Sequence, residues 1–149
     1  MKIFIEAERG SNEKGKYDEK THERLGTKKV LLPYPYAYGF ILGTEGDDGE
    51  CLDCYLISDK IVEQGTIVEC EVYGCLEFFE DNEEDYKVLA KFPNESVKGY
   101  ENLYSELKEF TLGIFKAYPE TVAKVGKILS KNDTIKIIEA SLQNETTIK

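Results

Sequence analysis

The sequence changes its apolar period about two-thirds of the way along, and that change limits the folds open to it. Before residue 100, Val, Ile, Tyr, Phe and Gly recur in short stretches broken by polar or glycine-containing turns such as Glu45-Gly46-Asp47-Asp48-Gly49. β-Branched and aromatic side chains fit a pleated, half-buried surface, so the stretches read as strands. The expected strands are Lys2 to Glu6, Lys16 to Asp18, Lys29 to Leu32, Gly39 to Ile41, Leu52 to Ile57, Thr66 to Leu76 and Tyr86 to Phe92. Short strands at this spacing suggest a barrel or sandwich. From Tyr100, Leu103, Leu107, Phe110 and Ile114 recur at three- and four-residue spacing, which puts one apolar stripe on a helix. Pro119 ends it by disfavouring helical geometry at Tyr118. A second helix is expected from Thr134 to Leu142, capped by Asp133, with Ile135, Ile138 and Leu142 inward. The tail Gln143 to Lys149 reads as frayed.

No repeat, low-complexity block or linker divides the chain, so residues 1–149 are expected to form one domain. The net charge is −10, from 29 acidic against 19 basic residues, a field that repels the phosphate backbone of nucleic acid. No stretch approaches the roughly eighteen apolar residues of a membrane helix, and MKIFIEAERGSNEKGK is not a signal peptide. A cytoplasmic location, with neither nucleic acid nor membrane as partner, is the expectation.

Cys51, Cys54, Cys70 and Cys75 have a spacing that approaches a four-thiolate zinc pattern. Both pairs lie in stretches of strand character, however, where residues three or five apart point to opposite faces. Reduced thiols, buried or half-buried, are expected instead. His22, the only histidine, lies in a charged turn and reads as solvent-exposed.

Two acidic runs carry the chemistry. Asp48, Glu50 and Asp53 crowd a glycine turn at the mouth of a strand, and Glu80 to Asp85 has the position of a hairpin connection. Carboxylates packed so closely are costly unless a cation sits among them. Neither run has the register of an EF-hand loop. The aromatic run Tyr34-Pro35-Tyr36-Ala37-Tyr38-Gly39 can project phenolic hydroxyls into a pocket while its rings pack below.

In order, Glu6, Lys16-Tyr17-Asp18, Tyr34-Pro35-Tyr36-Ala37-Tyr38-Gly39, Asp48-Gly49-Glu50-Cys51-Leu52-Asp53, Glu80-x4-Asp85-x-Lys87 and Phe115-Lys116 resemble the successive motifs of the soluble family I inorganic pyrophosphatases. The resemblance covers nearly the whole chain. It implies a mainly β fold with α, a five-stranded OB-like barrel with two flanking C-terminal helices. Glu50 and Glu80 stand where the family has Asp, and Asp18 where it has Glu. The family arginine falls on Gly26, with Arg24, Lys28 or Lys29 as substitutes. Phe115 lacks the family tyrosine's hydroxyl.

The resemblance also implies roles. Asp48, Asp53 and Asp85 hold activating Mg²⁺ (or Mn²⁺), with Glu80 and Glu6 on a further ion. Glu50 accepts a proton from the attacking water and Tyr34 orients the carboxylates. Lys16, Tyr38, Lys87 and Lys116 contact phosphate oxygens, Lys87 also assisting catalysis. The implied ligand is pyrophosphate and the implied assembly a homo-oligomer. Two rivals keep this fold: a hydrolase of another small phosphoanhydride, and a non-catalytic phosphate- or metal-binding module.

Overall fold

The computed structural model describes residues 1–97 and 100–142. Strands β1 (Lys2–Ala7), β2 (Glu13–Tyr17), β3 (Arg24–Lys29), β4 (Ala37–Ile41), β5 (Asp53–Leu56), β6 (Ile67–Glu69), β7 (Glu71–Glu80), β8 (Glu83–Glu84) and β9 (Lys87–Lys91) come first. Helix α1 (Leu103–Ile114), a 3₁₀ turn (Phe115–Ala117), β10 (Ala123–Leu129) and helix α2 (Lys131–Ser141) follow. The protein is therefore mostly β with two helices, as expected. The main sheet runs β10-β7-β9-β5-β4-β1-β6, with β8 added on β7, while β2 and β3 form a separate hairpin. Every pairing is antiparallel except β5 with β9.

The central strands are buried on both faces. One face gathers Ile3, Ile5, Ile41, Cys54, Leu56, Val88 and Ala90, and Ile138 of α2 joins them. The other gathers Tyr34, Tyr38, Tyr55, Leu76 and Leu89 beneath Leu103, Leu107 and Phe110 of α1. The stripe read from the sequence is thus the buried side of α1, and the helix stops at Ile114 before the non-helical Tyr118 that precedes Pro119. Gly39 is required where β4 meets β1, since a Cβ there would fall 1.7 Å from the Phe4 carbonyl oxygen.

Several expectations need correction. The stretch Thr66 to Leu76 is two strands, β6 on β1 and β7 on β9 and β10, with Cys70 at the break. The hairpin strand placed at Lys29 to Leu32 lies earlier, at Arg24–Lys29, and Leu31 and Leu32 are exposed. Strand β10 was not expected at all: its lysines and Gly126 mask it in sequence, as suits a strand at the end of a sheet. Helix α2 begins one turn sooner than read, because Ser130, not Asp133, is the cap; its Oγ accepts from Asp133 N at 3.1 Å. Leu142 is exposed, since the helix ends at Ser141 and the chain turns to bridge Thr44. His22 is half-buried against Phe4, with ring centroids 4.8 Å apart. The tail from Gln143 lies outside the described residues.

Cys54, Cys70 and Cys75 are free thiols in one apolar cluster, and Cys51 is a half-buried free thiol. Cys70 and Cys75 share a face despite being five apart because the strand breaks at Cys70 and an irregularity between Val72 and Gly74 resets the alternation. Burial pushes the Cys70 and Cys75 thiols up to about 12 and Cys54 well above its ordinary value. They behave as small apolar side chains, as the strand reading anticipated.

Candidate active site

The parallel pairing of β5 with β9 sets Asp53 abreast of Lys87, so both side chains leave the sheet on the same face. Lys87 Nζ lies 2.6 Å from Asp53 Oδ2 and 3.0 Å from Asp85 Oδ2. Its ammonium also sits 5.8 Å from the Tyr38 ring centroid and 5.4 Å from that of Phe78. Burial alone would lower the Lys87 pKa, but the two carboxylates outweigh it and hold the value above the usual lysine range. Burial likewise works to raise Asp53, and Lys87 overrides it, so Asp53 stays ionised below its ordinary value.

Around this triad opens a cavity of about 470 Å³. The sheet side contributes Tyr38, Asp53, Tyr55 and Lys87, and the acidic turns contribute Glu50, Glu80 and Asp85. The β2–β3 hairpin contributes Lys14, Lys28 and Lys29. Segment 30–34 adds Val30, Leu31 and Tyr34, and α1 with its 3₁₀ turn adds Phe110, Thr111, Ile114, Phe115 and Tyr118. A smaller cavity of about 270 Å³ shares Asp53 and Asp85 and includes Asp48. The three aspartates expected to hold activating metal therefore border one space, although they come from sites 37 residues apart in sequence.

Local structure explains how the two acidic runs reach it. Asp81 and Asn82 have φ of 52° and 69°, a pair of positive values that makes a two-residue hairpin between Glu80 and Glu83. That hairpin returns Asp85 beside β5. The other run is tied by Thr44, whose buried hydroxyl donates to Ile41 O and accepts from Leu52 N. Asp48 Oδ1 accepts from Glu50 N at 2.9 Å, fixing the turn.

Glu6 on β1 is buried beside this group, 4.0 Å from Lys14 Nζ. Burial raises its pKa to about 7, with Lys14 opposing and Asp53 and Glu19 reinforcing the shift. Glu50 is raised too, by burial and then by Asp48, Glu19 and Asp53. Burial also keeps the Tyr34 and Tyr38 phenols protonated well above their ordinary value.

Three expected residues line neither cavity: Glu6, which is buried, and two lysines. Those lysines, Lys16 and Lys116, are exposed. Lys14, two residues before Lys16 on the same face of β2, lines the larger cavity instead, 5.3 Å from the Tyr38 ring and opposite Lys28 across the hairpin. Reading the motif as Lys-Tyr-Asp shifted the choice to Lys16. Lys28, which sits 5.1 Å from the Tyr118 ring centroid, and Lys29, both weighed as substitutes for the family arginine, do line the cavity, whereas Thr111 was missed. Arg24, weighed as a substitute for the family arginine, donates to Thr27 and Gln64.

Among the described residues no group of three or more His, Cys, Asp or Glu is gathered tightly enough to cage a metal ion. Two carboxylates do converge on one cation, the Lys87 ammonium. Magnesium keeps most of its waters and takes one or two carboxylates with substrate phosphates, so this donor set fits it and not a closed zinc or calcium cage.

The profile of the family described as Inorganic pyrophosphatase matches residues 3–146. The inorganic pyrophosphatase of Synechocystis is 30% identical, covering 97% of this chain and 90% of its own. That of Campylobacter jejuni is 31% identical, covering 92% and 80%. Among solved structures, the inorganic pyrophosphatase of Thermus thermophilus superposes with a TM-score of 0.83 at 24% identity, over 95% of this chain and 88% of that one. The enzyme from Coxiella burnetii gives 0.82 at 24%, over 95% and 92%. The structures agree in fold and the sequence relatives agree in family along nearly the full length: this chain belongs to the inorganic pyrophosphatase family.

Proposed function

We propose that the chain hydrolyses inorganic pyrophosphate to two phosphates with Mg²⁺ as the activating ion. The observation that carries this is the alternation of charge around one cavity: Asp53, Asp85, Glu80 and Glu50 supply the negative groups, and Lys14, Lys28, Lys29 and Lys87 the positive ones. Such a space suits cations and a polyanion bound together, which neither carboxylates nor lysines alone can do.

Asp53 and Asp85, with Asp48 on the adjoining cavity, hold the activating ions; Glu80 and Glu6 hold a further one. Bound there, magnesium would supply positive charge to the substrate and lower the pKa of a water it holds. Glu50 accepts the proton from the attacking water, a role its raised pKa favours. Tyr34, protonated at working pH, orients the carboxylates. Lys14, Lys28 and Lys87, with Tyr38, contact phosphate oxygens and stabilise the leaving group. In this assignment Lys14 and Lys28 take the place of the exposed Lys16 and Lys116. The family resemblance further supports a cytoplasmic homo-oligomer.

Phosphate release from pyrophosphate, with and without Mg²⁺, tests the reading. Wild type should turn over only with metal, and tripolyphosphate and nucleoside di- and triphosphates should be poorer substrates. Tight pyrophosphate binding with no turnover would sink it.

A further inference from the structure

Thr111 on α1 is 2% exposed, and its Oγ1 is the buried side-chain polar atom among the described residues that makes no hydrogen bond of good geometry, with the Tyr55 hydroxyl as a polar neighbour. A helical threonine commonly satisfies itself by donating to the carbonyl one turn back. Thr134 in α2 does so, to Ser130 O at 2.7 Å. Thr111 does not, and it lines the 470 Å³ cavity next to Tyr55. Its neighbours on that face of the helix, Leu107, Phe110 and Ile114, are apolar, so packing asks for nothing more than a valine. Removing a poorly bonded hydroxyl while keeping its shape is neutral or stabilising. The hydroxyl is therefore kept at a cost to the folded chain, beside a cavity built for anions.

We infer that Thr111 Oγ1 and the Tyr55 hydroxyl form a donor subsite for a phosphate oxygen of the bound substrate, supplementing the lysines; this rests on the pyrophosphate reading above. A hydroxyl suits the apolar side of the cavity, where a second ammonium would have to be stripped of water without a carboxylate partner. Its bond to an anionic oxygen is of the stronger, charge-assisted kind.

The test compares Thr111→Val, which keeps the shape, with Thr111→Ser, which keeps the hydroxyl. Three quantities are measured: the melting temperature without ligand, the affinity for inorganic phosphate in Mg²⁺ by calorimetry, and KM for pyrophosphate. Thr111→Val should melt roughly 2 °C higher, bind phosphate about tenfold more weakly, and show a KM raised to match. Thr111→Ser should bind phosphate like wild type. If Thr111→Val binds phosphate within about twofold of wild type, or melts lower, the subsite is wrong while the pyrophosphate reading stands. If wild type neither hydrolyses pyrophosphate nor binds phosphate, both fall together.

Discussion

Asp53 and Cys54 are adjacent on β5 and live in opposite surroundings. Asp53 faces a cavity with Lys87, Tyr38 and Tyr55 and is paired with the Lys87 ammonium. Cys54 faces the other side of the same sheet, fully buried among Ile3, Leu56, Val88 and two further thiols. Alternation along the strand separates the two by one residue. The apolar face is free to optimise packing, whereas the cavity face keeps like charges close together, a raised glutamate and a poorly bonded threonine. Both faces carry packed apolar side chains, but the charged groups gather on one of them.

The strongest way to break this comparison is Asp53→Asn, which removes charge at constant volume. Mg²⁺-dependent phosphate release should fall by about two to three orders of magnitude, and activity within tenfold of wild type would show that the cavity face is not the catalytic one.

Glu6 gives the next largest effect, in the metal-free chain. Its folded pKa is near 7 against a reference value of 4.5. The folded state thus holds a proton that the unfolded state has already lost between those values. The stabilisation is complete below pH 4.5 and is lost as pH rises to 7, by about 3 kcal/mol. Denaturant melts of wild type and Glu6→Gln across that window should diverge by this amount, the variant showing the flatter profile.

On the apolar face, Cys54→Ser puts a more polar hydroxyl where a thiol donates to Tyr55 O at 3.4 Å in otherwise apolar surroundings. The cost should be about 1–3 kcal/mol of stability, with turnover per folded molecule unchanged. A change in KM would mean the two faces are not separate.

The smallest effect sharpens the boundary of the cavity. Lys14→Ala should raise KM for pyrophosphate about tenfold, as expected for loss of one bond to a charged group, and Lys16→Ala should leave it within about twofold. The reverse result would restore the assignment read from the motif.

Much of this was legible in the amino-acid order. The stripe Leu103, Leu107, Phe110 and Ile114 specifies both the existence of α1 and its buried side, because helical spacing is a local property. The hairpin at Asp81-Asn82 and the strand character before residue 90 are local in the same sense. The edge strand β10 was not legible, since lysines and a glycine dilute its apolar signal.

Local chemistry thus determined the element types, the mainly β class and the supply of carboxylates, phenols and lysines. The tertiary structure alone decided which of them meet. Parallel pairing of β5 with β9 brings Asp53 to Lys87 across 34 residues, and the way the β2–β3 hairpin sits over the sheet puts Lys14 rather than Lys16 at the cavity. The packing of α1 over the sheet places Thr111 beside Tyr55. Such pairings depend on the summed packing of segments far apart in the chain, and a one-residue slip turns a side chain to the other face, so no spacing within a single motif contains them.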